Sequence, residues 1–314
     1  MDNTLTCAAE SRSLNEPLAG TVKPTGVFYL IETDALDYGG WGHEIVKKMS
    51  KQGDFAPYTQ HLLSVPNSKV LLIRKPRANG MNLYIAVTNQ DVPKLYHTTL
   101  STYADLLNID PATVAPDITP QINGSDMTQV NELYAVCTNG KHDACCSTYG
   151  VPVYNALLQH THEDNVWQVT HIGGHRMAGT LIAFPQGIYY GHLDAFNAEE
   201  VVTNHQAGYL LTHKYRGCSA YGAYTLDVKT HQAVSAVEHH IRESAKIYAI
   251  KDLKLQLVEY TDDMQWRVEF IDAKGLSYQA QVTTTMSEPR QSSCNEAPKP
   301  MPIHTVAEYA PIES

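Results

Sequence analysis

The grouping of apolar and polar positions along the chain predicts three successive regions. Residues 26–34, GVFYLIETD, are an apolar run ending in charge, which predicts a buried strand. GHEIVKKMSKQ (42–52) places Ile45, Val46 and Met49 at helical spacing. SKVLLIRKP (68–76) and NLYIAVTNQ (82–90) predict two more strands on either side of a turn at Asn79 and Gly80, and STYADLLNI (101–109) predicts a helix. Strand, helix, strand, strand, helix is an α/β order built on a small mixed sheet. Between Asn108 and Asp126, prolines interrupt any periodicity and predict a linker.

A similar order then begins again. NELYAVCTN (131–139) predicts a strand running into Cys137, and ACCSTYGVPVYNALLQHTHE (144–163) a helix from about Pro152. NVWQVTH (165–171) predicts a strand, and TLIAFPQGIYYGHL (180–193) a hairpin about Pro185, Gln186 and Gly187. NAEEVVTNHQAGYL (197–210) predicts a helix with Asn197 as N-cap and acids in its first turn. These elements fit a small thioredoxin-like sheet, and the two α/β halves could be a diverged pair. A third region follows: a helix over 230–247 with Ala233, Val237, Ile241 and Ala245 on one face, then three alternating strands in KLQLVEYTDD, QWRVEFIDA and SYQAQVTTT. From Glu288 the tail is expected to be irregular. The organisation expected is an N-terminal α/β domain over 1–125, a candidate degenerate thioredoxin-like unit; a thioredoxin-like domain over 126–215; and a C-terminal α+β extension over 216–314.

Length and charge narrow the function classes. A chain of 314 residues has room for two or three domains. With Asp+Glu 33 against Lys+Arg 23, the net charge of −10 offers no footprint for nucleic acid or anionic lipid. No apolar run approaches the ~20 residues of a membrane-spanning helix. MDNTLTCAAESRSLNEPLAG has neither a basic start nor an apolar core, so the reducing cytoplasm is the expected compartment, where clustered cysteines favour metal or redox roles over disulfides. No nucleotide-binding glycine fingerprint occurs, so any redox partner is a separate protein, and an acidic chain suits a partner with a basic docking face.

Two stretches carry candidate chemistry. THIGGHRMAGT (170–180) sets His171 and His175 four residues apart around Gly173 and Gly174. A helical zinc-protease pair is excluded, because that motif needs Glu where Ile172 stands and the glycines disfavour a helix by about 1 kcal/mol each. A tight loop after a strand is expected instead. CTNGKHDACC (137–146) sets Cys137 at a strand end and Cys146 near a helix start, a position that favours thiolate. Adjacent Cys145 and Cys146 cannot easily face one site, so one is expected to stand apart. Two thiolates and two imidazoles suit tetrahedral zinc or a [2Fe–2S] cluster equally.

CTNGKHDACCSTYG together with VWQVTHIGGHRMAGTLIAFPQGIYYGHL resembles the sucrase/ferredoxin-like family, whose members have thioredoxin-like ferredoxin domains. ESRSLNEPLAGTV, YRGCSAY with the 231–246 helix, and SSCNEAP extend the resemblance over most of the chain. It implies an electron-transfer protein with a [2Fe–2S] cluster held by Cys137, Cys146, His171 and His175, carried by the 126–215 unit. The sequence departs from the family at Asn139, His142 and Cys218. Asn139, His142 and Arg176 could tune the site through hydrogen bonds, or be solvated loop side chains. Cys7, Cys218 and Cys294 read as structural or incidental. His160, His162, His192, His213, His239 and His240 read as mostly solvated, with His192 the one kept as a possible neighbour of the site. The rival readings are a structural Cys2His2 zinc protein and a thiol oxidoreductase. The latter lacks a C-x-x-C pair. The sequence leaves the redox partner, the potential and the oligomeric state open.

Overall fold

The computed structural model describes residues 6–33, 55–76, 81–262 and 264–312. The helix expected at 42–52 and the turn residues Asn79 and Gly80 lie outside them. The described chain opens with α1 (Cys7–Ser13), whose cap, Thr6, accepts a hydrogen bond from the Ala9 N–H. β1 (Val27–Glu32), α2 (Ala56–Leu62), β2 (Ser68–Arg74), β3 (Met81–Val87) and β4 (Lys94–Leu100) follow. Every residue of β1 is buried. Val27, Tyr29 and Ile31 pack with Phe55, Leu62 and Tyr96 on one face, and Phe28 and Leu30 pack with Leu71, Ala86 and Trp167 on the other. Burial on both faces is why this strand is a continuous apolar run rather than an alternation.

The helix expected at 101–109 is a tighter 3-10 segment, Tyr103–Asn108. The Asp105 carboxylate accepts from the Ser101 and Thr102 N–H groups, and Pro111 stops any continuation. The expected linker contains a small hairpin, β5 (Gln121–Ile122) and β6 (Ser125–Asp126). It turns on Asn123 and Gly124, at φ of 53° and 72°, the conformation an Asn-Gly pair adopts most readily. β7 (Thr128–Val130) then returns to pair with β4.

The second half runs β8 (Leu133–Cys137), α3 (Ala144–Leu157), β9 (Val166–Val169), β10 (Leu181–Phe184), β11 (Ile188–Tyr190), α4 (Ala198–Gln206) and β12 (Tyr215–Cys218). α3 starts at Ala144 rather than near Pro152, because the Asp143 side chain caps it by accepting from the Cys145 N–H. Ahead of α4, Asp194 does the capping expected of Asn197, accepting from the Phe196 and Asn197 N–H groups.

One ten-stranded mixed sheet runs through both halves in the order β12-β11-β10-β8-β9-β2-β1-β3-β4-β7. β1 and β2 are parallel, as are β8 and β9; β1/β3 and β8/β10, and β3/β4 and β10/β11, are antiparallel. Each half therefore repeats the same strand order and sense. The halves meet where β2 and β9 pair antiparallel, at Ile73 with Val169 and Arg74 with Gln168. The expected α/β class with mixed sheets holds.

The third region is α5 (Val228–Ala245) against the antiparallel meander β13 (Leu253–Asp262), β14 (Gln265–Asp272), β15 (Ser277–Met286) and β16 (Pro302–Ile312). Ala233, Val237 and Ile241 pack on Trp266, Val268, Phe270, Ala280 and Val282. β16 corrects the irregular tail expected beyond Glu288. It pairs with β15 from Pro302 to Ile312, and as an edge strand it tolerates the prolines that obscured it. No helix among the described residues is long and apolar enough to cross a membrane.

Both ends of the chain are tied to the middle by charge. The Arg176 guanidinium donates to both carboxylate oxygens of Glu16 at 2.7 Å and to Glu10 at 2.6 Å. Arg290, from the tail, also donates to Glu16 at 2.7 Å. Burial opposes ionisation of Glu16, but the hydrogen bonds from Arg176, Ser11 and Arg290 outweigh it and hold its pKa down to about 2. His192 and His231 are pushed the other way from charging: burial lowers each to about 4. The unfolded chain thus takes up protons before the folded one at all three groups. Their contribution is complete above the ordinary histidine range, declines as pH falls from about 6.5, and falls further below about 4.5 as Glu16 is engaged. Thermal melting should show stability decreasing over that interval. Glu16→Gln should cost about 3 kcal/mol near neutral pH, because it removes the buried carboxylate shared by Arg176 and Arg290 and leaves Arg176 with the more exposed Glu10 alone; a melt unchanged by the substitution would contradict this account.

Candidate metal centre

The site is built at the C-terminal ends of two neighbouring parallel strands, the usual ligand position of such sheets. β8 and β9 pair in register at Cys137 and Val169, so the segments that follow them start side by side. After β8, a loop leads to Asp143 and the first turn of α3, which carries Cys146. The close approach of α3 to the strand end requires Gly150, where a Cβ would lie 2.0 Å from the Cys137 carbonyl oxygen. After β9 comes Thr170, whose hydroxyl accepts from the Leu72 N–H, and then His171.

The glycine pair makes a loop, as expected. Gly173 and Gly174 sit at φ of 97° and 75°, and a 3-10 turn, His175–Met177, follows. Arg216 of β12 fills the space under Gly174, where an added Cβ would lie 2.3 Å from its Nη2. It donates to the Gly173 carbonyl at 3.1 Å and to the Thr21 hydroxyl and carbonyl. Arg216 is 1% exposed, and burial holds its pKa down to about 10.

The ligand atoms of Cys137, Cys146 and His171 all lie within 4.8 Å of one another. The same holds for His142, His171 and His175, so His171 belongs to both groups. The Cys146 Sγ is 4.0 Å from the His171 Nδ1. The His171 and His175 ring centroids are 5.0 Å apart, and those of His142 and His171 3.9 Å. Both thiols are buried, whereas the three imidazoles are partly exposed. Cys137 is the thiolate-prone partner. The hydrogen bond from Cys146 lowers its pKa most, burial opposes, and His171 and the Asn139 backbone add to the lowering. Cys146 is pushed up correspondingly, first by its bond to Cys137. Burial, then the neighbouring His171, lowers the pKa of His175, which favours the neutral imidazole that metal ligation needs.

Among the described residues, the buried His175 Nδ1 and Asn139 Nδ2 have no hydrogen-bond partner. A buried polar atom left without a partner is costly unless a ligand satisfies it. The donor set of two thiols and adjacent imidazoles fits a borderline or soft metal.

The structure settles Asn139, His142 and Arg176 between their two expected roles and adds Arg216. His142 joins the imidazole group. Arg176 is 2% exposed and Asn139 fully buried, so neither is a solvated loop side chain. Arg216 had one available signal, a single cation inside the apolar run YRGC. Cys145 does stand apart from Cys146: its Sγ lies 3.5 Å from that of Cys7 and 3.4 Å from that of Cys294. His192 accepts or donates a hydrogen bond with Ser11 at 3.1 Å and is buried rather than solvated.

The chain is 29% identical over 97 residues to the "Altered inheritance of mitochondria protein 32" of Meyerozyma guilliermondii, covering 28% of this chain and 34% of that one. It is 23% identical over 176 residues to the protein of the same name from Candida glabrata, covering 49% and 54%. The chain thus spans about a third to a half of the length of these relatives. Among solved structures, the Cys55Ser variant of the thioredoxin-like [2Fe-2S] ferredoxin from Aquifex aeolicus aligns over 27% of this chain and 97% of its own, at 15% identity and a TM-score of 0.25. The sucrase/ferredoxin-like family model matches residues 18–217, which include all of the site just described, and the chain belongs to that family.

Proposed function

We propose that this protein is an electron carrier whose 126–215 unit holds a [2Fe–2S] cluster through Cys137, Cys146, His171 and His175. The observation that carries the reading is the convergence of two buried thiols with His171, which is grouped in turn with His175 of the same glycine loop, together with the partnerless buried His175 Nδ1. Family membership supports an iron–sulfur role. Once bound, the cluster would supply a one-electron couple.

The chain's own groups set the terms of that couple. Cys137 enters as the more acidic thiol, and His175 as a neutral base. Neutral imidazoles in place of thiolates leave the site less negative and raise its potential. The Arg216 guanidinium beneath the loop adds positive charge and acts in the same direction. The buried Asn139 amide can donate a hydrogen bond to sulfur, which also favours reduction. His171 and His175 are the partly exposed side of the site, which makes them the natural exit for an electron and for an imidazole proton.

Protein purified without air should show thiolate-to-iron absorption bands with two irons and two acid-labile sulfides per chain. A colourless protein with one zinc bound by the same four residues would overturn the proposal. His171→Cys and His175→Cys should keep a cluster and lower its potential by on the order of 100 mV or more. His142→Ala should leave the spectrum in place. If it instead removes the iron while His175→Ala does not, His142 is the ligand and the assignment fails.

The potential should also fall as pH rises through the neutral and alkaline range. Loss of an imidazole proton adds negative charge, which stabilises the oxidised state more than the reduced one, so the oxidised form has the lower pKa. A potential that stays flat over this range in protein-film or redox titration would count against histidine ligation.

A further inference from the structure

A second group of thiols lies on the far side of the first turn of α3. Cys7 from α1, Cys145 from α3 and Cys294 from the tail come from three remote parts of the chain. Their sulfurs form a near-equilateral triangle, with separations of 3.5, 3.4 and 3.5 Å. The Asp143 carboxylate completes a group of four ligand atoms within 4.8 Å of one another. Cys7, Cys145 and Asp143 are fully buried and Cys294 is partly exposed. We propose that Cys7, Cys145, Cys294 and Asp143 form a zinc-binding site that fastens both ends of the chain to the base of α3.

The alternative for buried cysteines is simple packing, since a thiol behaves as a small apolar group. Ala8 and Ala178 do pack here. Packing gives no reason, however, for three sulfurs from separate segments to converge on one centre. Nor does the geometry point to a disulfide, which would draw two sulfurs to about 2.05 Å and leave the third aside. Tetrahedral zinc with bonds of about 2.3 Å needs sulfur separations of about 3.8 Å, so the triangle has only to open slightly.

The fourth donor is held rigidly. Asp143 Oδ1 accepts from the Cys145 N–H at 2.9 Å, and Oδ2 accepts from the Cys294 N–H at 2.9 Å and the Ser293 hydroxyl at 3.0 Å. Those bonds leave one lone pair, on Oδ1, free for a cation. A carboxylate beside three thiolates favours borderline zinc over a purely soft ion. Four anionic ligands would leave the site negative, and two cations stand next to it. Arg176 donates to the Cys7 carbonyl at 3.2 Å. Arg12 donates to the Ala178 carbonyl at 2.7 Å and stacks on Tyr149, both of which pack with the thiols. Zinc binding would release the thiol protons to solvent and involve no change in oxidation state. The partly exposed Cys294 gives the ion a way in.

The test is metal analysis of the full chain purified without air or chelator, with zinc added at one equivalent and competed by a chromophoric chelator. One zinc per chain is expected, lost in Cys7→Ser and in Cys294→Ser, with the visible absorption from the Cys137 site unchanged in both. Zinc should also shield Cys7, Cys145 and Cys294 of the unmutated protein from alkylation, read by peptide mass, which does not depend on the variants folding. Failure to retain zinc against the chelator would overturn the proposal. So would zinc that persists in a Cys7→Ser/Cys294→Ser double variant or is lost only with Cys137→Ser. A disulfide between any two of the three thiols in the purified protein would also overturn it.

Discussion

A guanidinium cannot shed its charge at any ordinary pH, so a fold that buries one must surround it with acceptors. Arg176 sits immediately after the candidate ligand His175 and is 2% exposed. Its acceptors come from both ends of the chain: Glu10, Glu16 and the Cys7 carbonyl at the start, and the Gln291 carbonyl near the end. This one side chain therefore joins the glycine loop to both termini. A pair buried to this degree owes its place to geometry more than to net stabilisation, since desolvation consumes much of the attraction. It fixes where the histidine loop lies relative to α1 and the tail.

Arg216 does the corresponding work from the opposite side. It reaches from β12 under Gly174 and holds the Gly173 carbonyl, so the loop is anchored by Arg216 from outside and by its own Arg176 to both termini. For the proposed electron carrier such anchoring would matter, because ligands that keep their positions in both oxidation states reduce the reorganisation that accompanies transfer. Both cations also offset the negative charge that thiolates bring to a buried place. The two roles, positioning and charge balance, are carried by the same side chains.

The repeated strand order explains why the site occurs where it does. Two half-sheets of the same order meet edge to edge at β2 and β9, and the candidate ligands follow β8 and β9 at that junction. The junction strands are buried, with Leu71, Ile73, Trp167 and Val169 in one apolar cluster with Cys137 and Cys146. The thiols thus lie at the border between a core shared by both halves and a partly exposed group of imidazoles. A cofactor held there, as proposed, would have a low-dielectric interior on one side and a partly exposed face on the other.

The sequence by itself determined what local chemistry dictates. Two-sided burial wrote continuous apolar runs at β1 and β8, one-sided burial wrote alternation in β13 to β15, and the paired glycines wrote a loop between His171 and His175. Cys137, Cys146, His171 and His175 stood out as candidates because their spacing is local to each loop, whereas nothing local marked His142, which the structure adds to the imidazole group. Some local signals were present but outweighed by louder ones: Asn123-Gly124 amid prolines, Asp143 capping α3 ahead of Pro152, and β16 between prolines at an edge. What only the tertiary structure decided depends on contacts far apart in the chain. Cys7 and Cys294 are separated by 287 positions, and Glu16 and Arg176 by 160. No periodicity or spacing encodes such meetings. They follow from how the termini close over the base of α3, where burial demands that every charge find a partner.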